Sequence, residues 1–74
     1  FIALAEELHF GRAAQRCGIS QPAISRLLNE LEADIHVKLL HRTSREVSLT
    51  RAGQGFLDSA RKAVAYADMA VQAA

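Results

Sequence analysis

Cysteine occurs once in the chain, at Cys17, so no internal disulfide can staple the fold, and this usage fits a reducing cytoplasm. No apolar run approaches the roughly 18 residues of a membrane span, so no membrane is expected among the partners. No signal peptide is visible. The chain opens at Phe1, without a methionine and inside an apolar pattern, and reads as the front piece of a longer protein whose first helix has lost its start. An excess of either charge is missing as well: the net charge is +1, which names no partner. Internal repeats and low-complexity segments are absent, apart from an alanine-rich end. What remains is 74 residues, half of them apolar, which is one small globular domain near the lower size limit for folding alone.

Enzymatic chemistry finds no foothold. It would need a nucleophile beside a base, or an acid pair in a pocket, and so short a chain offers little pocket. Cys17, His36 and His41 match no usual zinc-ligand spacing. No catalytic residue, cofactor or metal ligand is expected.

Hydrophobic spacing sets out the elements. Phe1, Leu4, Ala5 and Leu8 repeat as one face of an amphipathic helix, with Glu6 and Glu7 off that stripe. A short second helix runs from about Arg12 to Cys17, burying Ala13, Ala14 and Cys17, and Gly18 ends it with positive φ. Ile19 fills the corner and Ser20 caps a third helix over about 21–35, with Pro22 tolerated in its first turn. Ile24, Leu27, Leu28, Leu31 and Ile35 form its apolar stripe. The period then changes. Residues from about Lys38 to Arg42 pair with Val47–Leu49 as a hairpin around the polar tip Thr43-Ser44-Arg45-Glu46. Thr50 caps a last helix reaching towards Ala74. The fold class is mainly α with a small β-hairpin: a winged helix-turn-helix over residues 1–50, its wing at about 38–49, followed by a long linker helix over 51–74.

The outward face of the third helix carries the function. Ordinary solvated helices favour Glu and Lys, whereas this one lines up Gln21, Pro22, Ser25, Arg26 and Asn29. In a helix-turn-helix the second helix of the pair enters the major groove with its N-terminal residues on base edges. Gln can pair with adenine, Arg with guanine, and Pro can touch a thymine methyl. From Leu8 to Leu28 the only charges are Arg12, Arg16 and Arg26; after an acidic interval come Lys38, Arg42, Arg45 and Arg51 against a single Glu46, as expected if folding gathers the basic segments on one face. Arg45 at the wing tip suits a narrow minor groove. Arg51, a cation in a helix's first turn, suits a phosphate there. Ser20, Lys38, Arg42 and Thr50 join these two as expected contacts to the DNA backbone or minor groove.

The stretches "HFGRAAQRCGISQPAISRLLNELEADIHVKLLHRT" and "VSLTRAGQGFL" resemble the DNA-binding domain of the LysR-type bacterial transcriptional regulators. Ala13-Ala14, Ser20 through Arg26, Leu31-Glu32, Arg42, Leu49-Thr50 and Ala52-Gly53 carry the likeness in order and spacing. The resemblance implies a winged helix-turn-helix, a homodimer joined through the linker helix, and binding to interrupted double-stranded DNA palindromes near promoters. It also implies a separate C-terminal domain for a small-molecule effector, absent from these residues. Where the family has Ser or Thr this chain has Gly11, so the second helix is expected to lose its side-chain cap. Cys17 stands for Leu and is expected to be a small buried hydrophobe, and His36 stands for the Gly that ends the recognition helix.

On the last helix, Phe56, Ala60, Ala63, Ala67, Ala70 and Ala74 are spaced as a heptad seam, with Leu57, Val64 and Val71 beside it. Alanines there let two backbones approach closely, as a dimer interface requires. The alternative to DNA binding is a winged-helix module for protein interaction, which would tend to show an acidic or apolar recognition face.

Overall fold

The computed structural model describes all 74 residues. Four helices and one hairpin follow in order: α1 (Ile2–Glu7), α2 (Phe10–Cys17), α3 (Gln21–Ile35), β1 (Leu40–Arg42), β2 (Val47–Leu49) and α4 (Arg51–Ala73).

Helix α1 buries Ala3, Leu4 and Ala5. It stops earlier than the apolar stripe suggests. Leu8 takes the left-handed conformation (φ 49°) and is exposed, with its N–H donating to the Leu4 carbonyl. The bend sets up the start of α2, which begins two residues ahead of expectation because His9 caps it: the His9 Nδ1 accepts the Arg12 N–H at 2.9 Å. Gly11 makes this possible, since a Cβ there would lie 2.9 Å from His9 Cε1. The expected loss of a cap is therefore corrected: glycine clears the space in which the imidazole does the capping.

The turn behaves as its sequence demands. Gly18 has φ 69°, and the N–H groups of Gly18 and Ile19 return to the carbonyls of Gln15 and Ala14. Ser20 Oγ accepts the Ala23 N–H and opens α3, where Ile24 and Leu28 are buried. Leu27 and Ile35 are not; Leu27 is 50% exposed. Cys17 is also exposed, against expectation, because it faces an open apolar cleft of about 210 Å³ that it shares with Phe1, Ile19 and Leu27 rather than the closed core. Helix α3 ends on His36 at φ 59°, the left-handed position that its place in the sequence predicts.

The hairpin is shorter than expected on its first strand. Leu40, His41 and Arg42 pair antiparallel with Leu49, Ser48 and Val47. Leu39 faces Thr50 in the same register but makes only half of a pair. Its carbonyl accepts from Thr50 N–H at 3.0 Å, while its own N–H is diverted to Glu32 Oε2 at 2.7 Å, which ends the ladder there. Glu32 itself is buried, its other oxygen 3.6 Å from Lys38 Nζ. Thr50 Oγ1 accepts the Gly53 N–H at 2.8 Å and donates to the Lys38 carbonyl at 2.7 Å. Gly53 has to be glycine, since a Cβ there would run into the Leu39 carbonyl.

The core joins α1, α2, α3 and the wing through Leu4, Ala13, Ala14, Ile24, Leu28 and Leu40, with Phe1, Phe10, Val47 and Leu49 packed around it. The small Ala13 and Ala14, almost fully enclosed, let α2 and α3 cross closely. The first turns of α4 close the base. Leu57 is 4% exposed, and Phe56 is half-buried with its ring edge-on to Phe1 at 5.2 Å. Leu57 is thereby spent on the chain's own domain, which takes it off the expected seam. From Arg61 onward every residue of α4 is exposed, and beyond Arg61 no side-chain hydrogen bond or ion pair returns to the domain.

Candidate nucleic-acid interface

Gln21, Pro22, Arg26 and Asn29 are exposed and Ser25 is half-buried, along one side of α3. The first turns of α2, α3 and α4 hold no acidic residue, so no carboxylate neutralises the positive ends of these dipoles. A depression of about 400 Å³ runs between the start of α2 and the wing, lined by His9, Gly11, Gln21, Thr43 and Arg45 among others. The fold thus places Gln21, the first residue of α3, and Arg45, at the wing tip, on one concave surface. The tip is tied internally: Thr43 N–H donates to the Glu46 carbonyl at 2.9 Å, and Thr43 Oγ1 accepts the Glu46 N–H at 3.0 Å.

The basic residues divide into two sets. Arg12 and Arg16 are not gathered with the rest. Arg16 reaches Glu6 at 2.7 Å and Glu7 at 3.5 Å, and Arg12 reaches Glu7 at 3.5 Å. Glu6 also holds Arg61 of α4 at 2.9 Å. The hydrogen bond from Arg16, then that from Arg61, keep the Glu6 carboxyl below the usual glutamate range, and Glu6 in turn raises Arg16. This is a structural brace between α1, α2 and α4. Arg42, Arg45 and Arg51 make up the other set and meet no carboxylate within salt-bridge distance. Lys38 lies beside Glu32 instead.

Arg26 pairs with Glu30 across one helical turn at 3.5 Å. An exposed pair of this spacing is worth about 0.3–0.5 kcal/mol, well below the roughly 1–3 kcal/mol of a bidentate guanine contact. Arg26 is therefore free to leave Glu30 for a base. Arg42 is engaged more fully. Its guanidinium lies 4.7 Å over the Phe10 ring and donates to Ser25 Oγ at 3.1 Å and Asn29 Oδ1 at 2.7 Å. Ser20 accepts the Ala23 N–H as the α3 cap and keeps its O–H free to donate, whereas Thr50 gives its O–H to the Lys38 carbonyl and its N–H to the Leu39 carbonyl. Arg51, the first residue of α4, is exposed.

Sequence reasoning missed His9, Phe10 and Glu32 as parts of this apparatus, and Tyr66, 70% exposed, beside the expected seam. Of the seam residues, Ala63, Val64, Ala67, Ala70 and Val71 are exposed and Ala60 half-buried. No group of three or more His, Cys, Asp or Glu side chains is placed to hold a metal, and no helix is long and apolar enough to cross a membrane.

Comparison with known proteins agrees with this geometry. Residues 1–54 match the model of the bacterial regulatory helix-turn-helix proteins of the lysR family. The transcriptional regulator AlsR of Bacillus subtilis (strain 168) is 52% identical over 64 residues, which cover 86% of this chain and 21% of AlsR; the chain spans about a fifth of that relative. Among solved structures, the DNA-binding domain of CbnR in complex with DNA superposes with a TM-score of 0.92 at 42% identity, covering 96% of this chain and 82% of that one. The BenM DNA-binding domain bound to catB site 1 DNA gives 0.92 at 37% identity, with 96% and 79% covered. The chain belongs to the LysR family of bacterial helix-turn-helix transcriptional regulators.

Proposed function

We propose that this chain is a sequence-specific binder of double-stranded DNA, acting by binding rather than by catalysis. Helix α3 enters the major groove and reads bases with Gln21, Pro22, Ser25, Arg26 and Asn29. The wing reaches the minor groove through Arg45, while Ser20, Lys38, Arg42, Thr50 and Arg51 face the backbone. Residues 1–50 form the DNA-binding unit and 51–74 the linker helix. Two copies pair along α4, through the half-buried Phe56 and Ala60 and the exposed Ala63, Val64, Ala67, Ala70 and Val71, and so present two recognition helices to an interrupted palindrome near a promoter. A small-molecule effector acts through a separate C-terminal domain, in the cytoplasm.

The observation that carries this reading is the shared concave surface of Gln21 and Arg45, with Glu46 the one acid lining it, beside helix N-termini without acids and with Arg42, Arg45 and Arg51 free of carboxylate partners. The likeness to domains solved with DNA supports it. An acidic or apolar recognition face, which an interaction module would favour, is not what α3 offers. The test is selection from randomised duplex DNA across a salt series. Enrichment of a site with dyad symmetry, with affinity falling steeply as salt rises, is expected; recovery of no enriched site would reject the reading.

A further inference from the structure

Arg42 does something to the recognition face that its charge alone would not suggest. It reaches from β1 across to α3 and meets Ser25 and Asn29, one helical turn apart, while resting on Phe10 of α2. A guanidinium has five N–H donors and no acceptor. Any amide that meets it must therefore turn its oxygen inward, and Asn29 does so at 2.7 Å. The Nδ2 group then points away, and the polarised amide is a better donor and a poorer acceptor. Ser25 is treated in the same way: its Oγ accepts from Arg42 at 3.1 Å, leaving the O–H to donate.

We infer that Arg42 is a specificity-setting positioning residue, which makes the Ser25–Asn29 part of α3 a donor-biased surface reading keto bases. In the major groove guanine offers two acceptors, O6 and N7, and thymine one, O4; adenine sets its N7 acceptor beside an N6 amino donor, and cytosine presents only its N4 amino donor. An unconstrained asparagine pairs with adenine, using its oxygen and its amino group together. Here Arg42 engages the oxygen, so the N6 amino group of adenine loses its acceptor and only N7 is left to meet; on the contacted strand guanine or thymine is favoured over adenine or cytosine. Arg26, which has donors alone, extends the same preference, and Gln21 is left as the base-reading side chain whose acceptor Arg42 does not engage.

The inference rests on the proposed DNA-binding function, and one experiment separates their failures. Selection from randomised duplexes is run on the wild type and on Asn29→Asp and Arg42→Met variants. The wild type should select guanine or thymine at one position per half-site that is sensitive to Asn29. Asn29→Asp keeps an oxygen for Arg42 but shows an acceptor outward, so it should invert that position to adenine or cytosine, by about tenfold in relative affinity. Arg42→Met should lose the preference there and leave the other positions unchanged. A wild type that selects no site overturns the DNA-binding reading itself. A wild type that selects a site whose bases Asn29→Asp does not alter overturns the role of Arg42 alone, as does an Arg42→Met variant that keeps the wild-type preference at that position. Asn29 is exposed, so its variant folds even where Arg42→Met does not.

Discussion

The Glu32 carboxylate, on the fourth turn of α3, accepts the Leu39 N–H at 2.7 Å and so fastens the recognition helix to the entrance of the wing. It accepts the Leu40 N–H as well, at 3.3 Å, and both these residues are buried. Glu32 Oε2 is the acceptor of both donors. Replacing Glu32 with leucine should therefore cost roughly 3 kcal/mol, lowering the melting temperature by about 10–20 °C for a chain of this size. Glu32→Gln, which keeps one acceptor oxygen, should fall in between. Thermal unfolding followed by circular dichroism checks both, and an unchanged melting point for Glu32→Leu would mean that the wing is held by its apolar contacts alone.

His36 ends α3 with φ 59°, a conformation that costs an ordinary residue roughly 1–2 kcal/mol relative to glycine. His36→Gly should raise the melting temperature while leaving DNA affinity unchanged, since His36 lies at the far end of α3 from Gln21. A fall in the melting temperature would show that the imidazole makes a stabilising contact that outweighs the strain.

These two residues mark what could and could not be read from the sequence. Left-handed ends such as Gly18 and His36 are local matters, fixed by residue type and by the break in apolar spacing, and they were legible. So were the caps at Ser20 and Thr50. Leu8 was not, because its left-handed φ answers to the His9 cap on the next helix rather than to its own. Glu32 reads as one more surface acid until the wing is folded against it. Cys17 and Leu57 went astray for a shared reason: helical spacing tells which face a residue is on, but not whether the chain itself covers that face.

Glu6 braces three helices, accepting from Arg16 at 2.7 Å and Arg61 at 2.9 Å. Its carboxyl is held below the ordinary glutamate range, chiefly by the Arg16 hydrogen bond and next by that of Arg61. A group whose pKa is lower folded than unfolded stabilises the fold above the unfolded value, near 4.3, and stops doing so as pH falls through the folded value. Wild type should therefore melt above Glu6→Gln at neutral pH, with the two converging on acidification below about pH 4. Melting curves from pH 7 to pH 2.5 test this; a constant gap would mean that packing rather than charge sets the difference.

The two faces of α4 should separate under mutation. Ala67 is exposed on the free part of the helix, whereas Leu57 is enclosed in the domain. Ala67→Glu should shift the protein towards monomer in sedimentation while keeping its melting behaviour at low concentration. Leu57→Ala should instead cost about 2–5 kcal/mol of stability. An Ala67→Glu protein that sediments as an unaltered dimer would place the interface elsewhere.

Arg26 and Arg45 should fail in different ways when truncated, because one meets base edges and the other groove shape and charge. Arg26 stands one turn beyond Pro22 on the exposed side of α3, held only by its weak pairing with Glu30. Arg26→Ala should cost about 1–3 kcal/mol on the selected site and much less on random duplex. Arg45 lies at the wing tip with no acid partner, on the depression it shares with Gln21. Arg45→Ala should weaken binding to most sequences and flatten the salt dependence by about one unit of slope for each phosphate contact removed. Affinities of both variants for specific and random duplexes, measured across a salt series, decide the matter. Equal weakening on both duplexes by Arg26→Ala would make Arg26 a phosphate clamp, and the reading face would then have to be sought nearer Gln21.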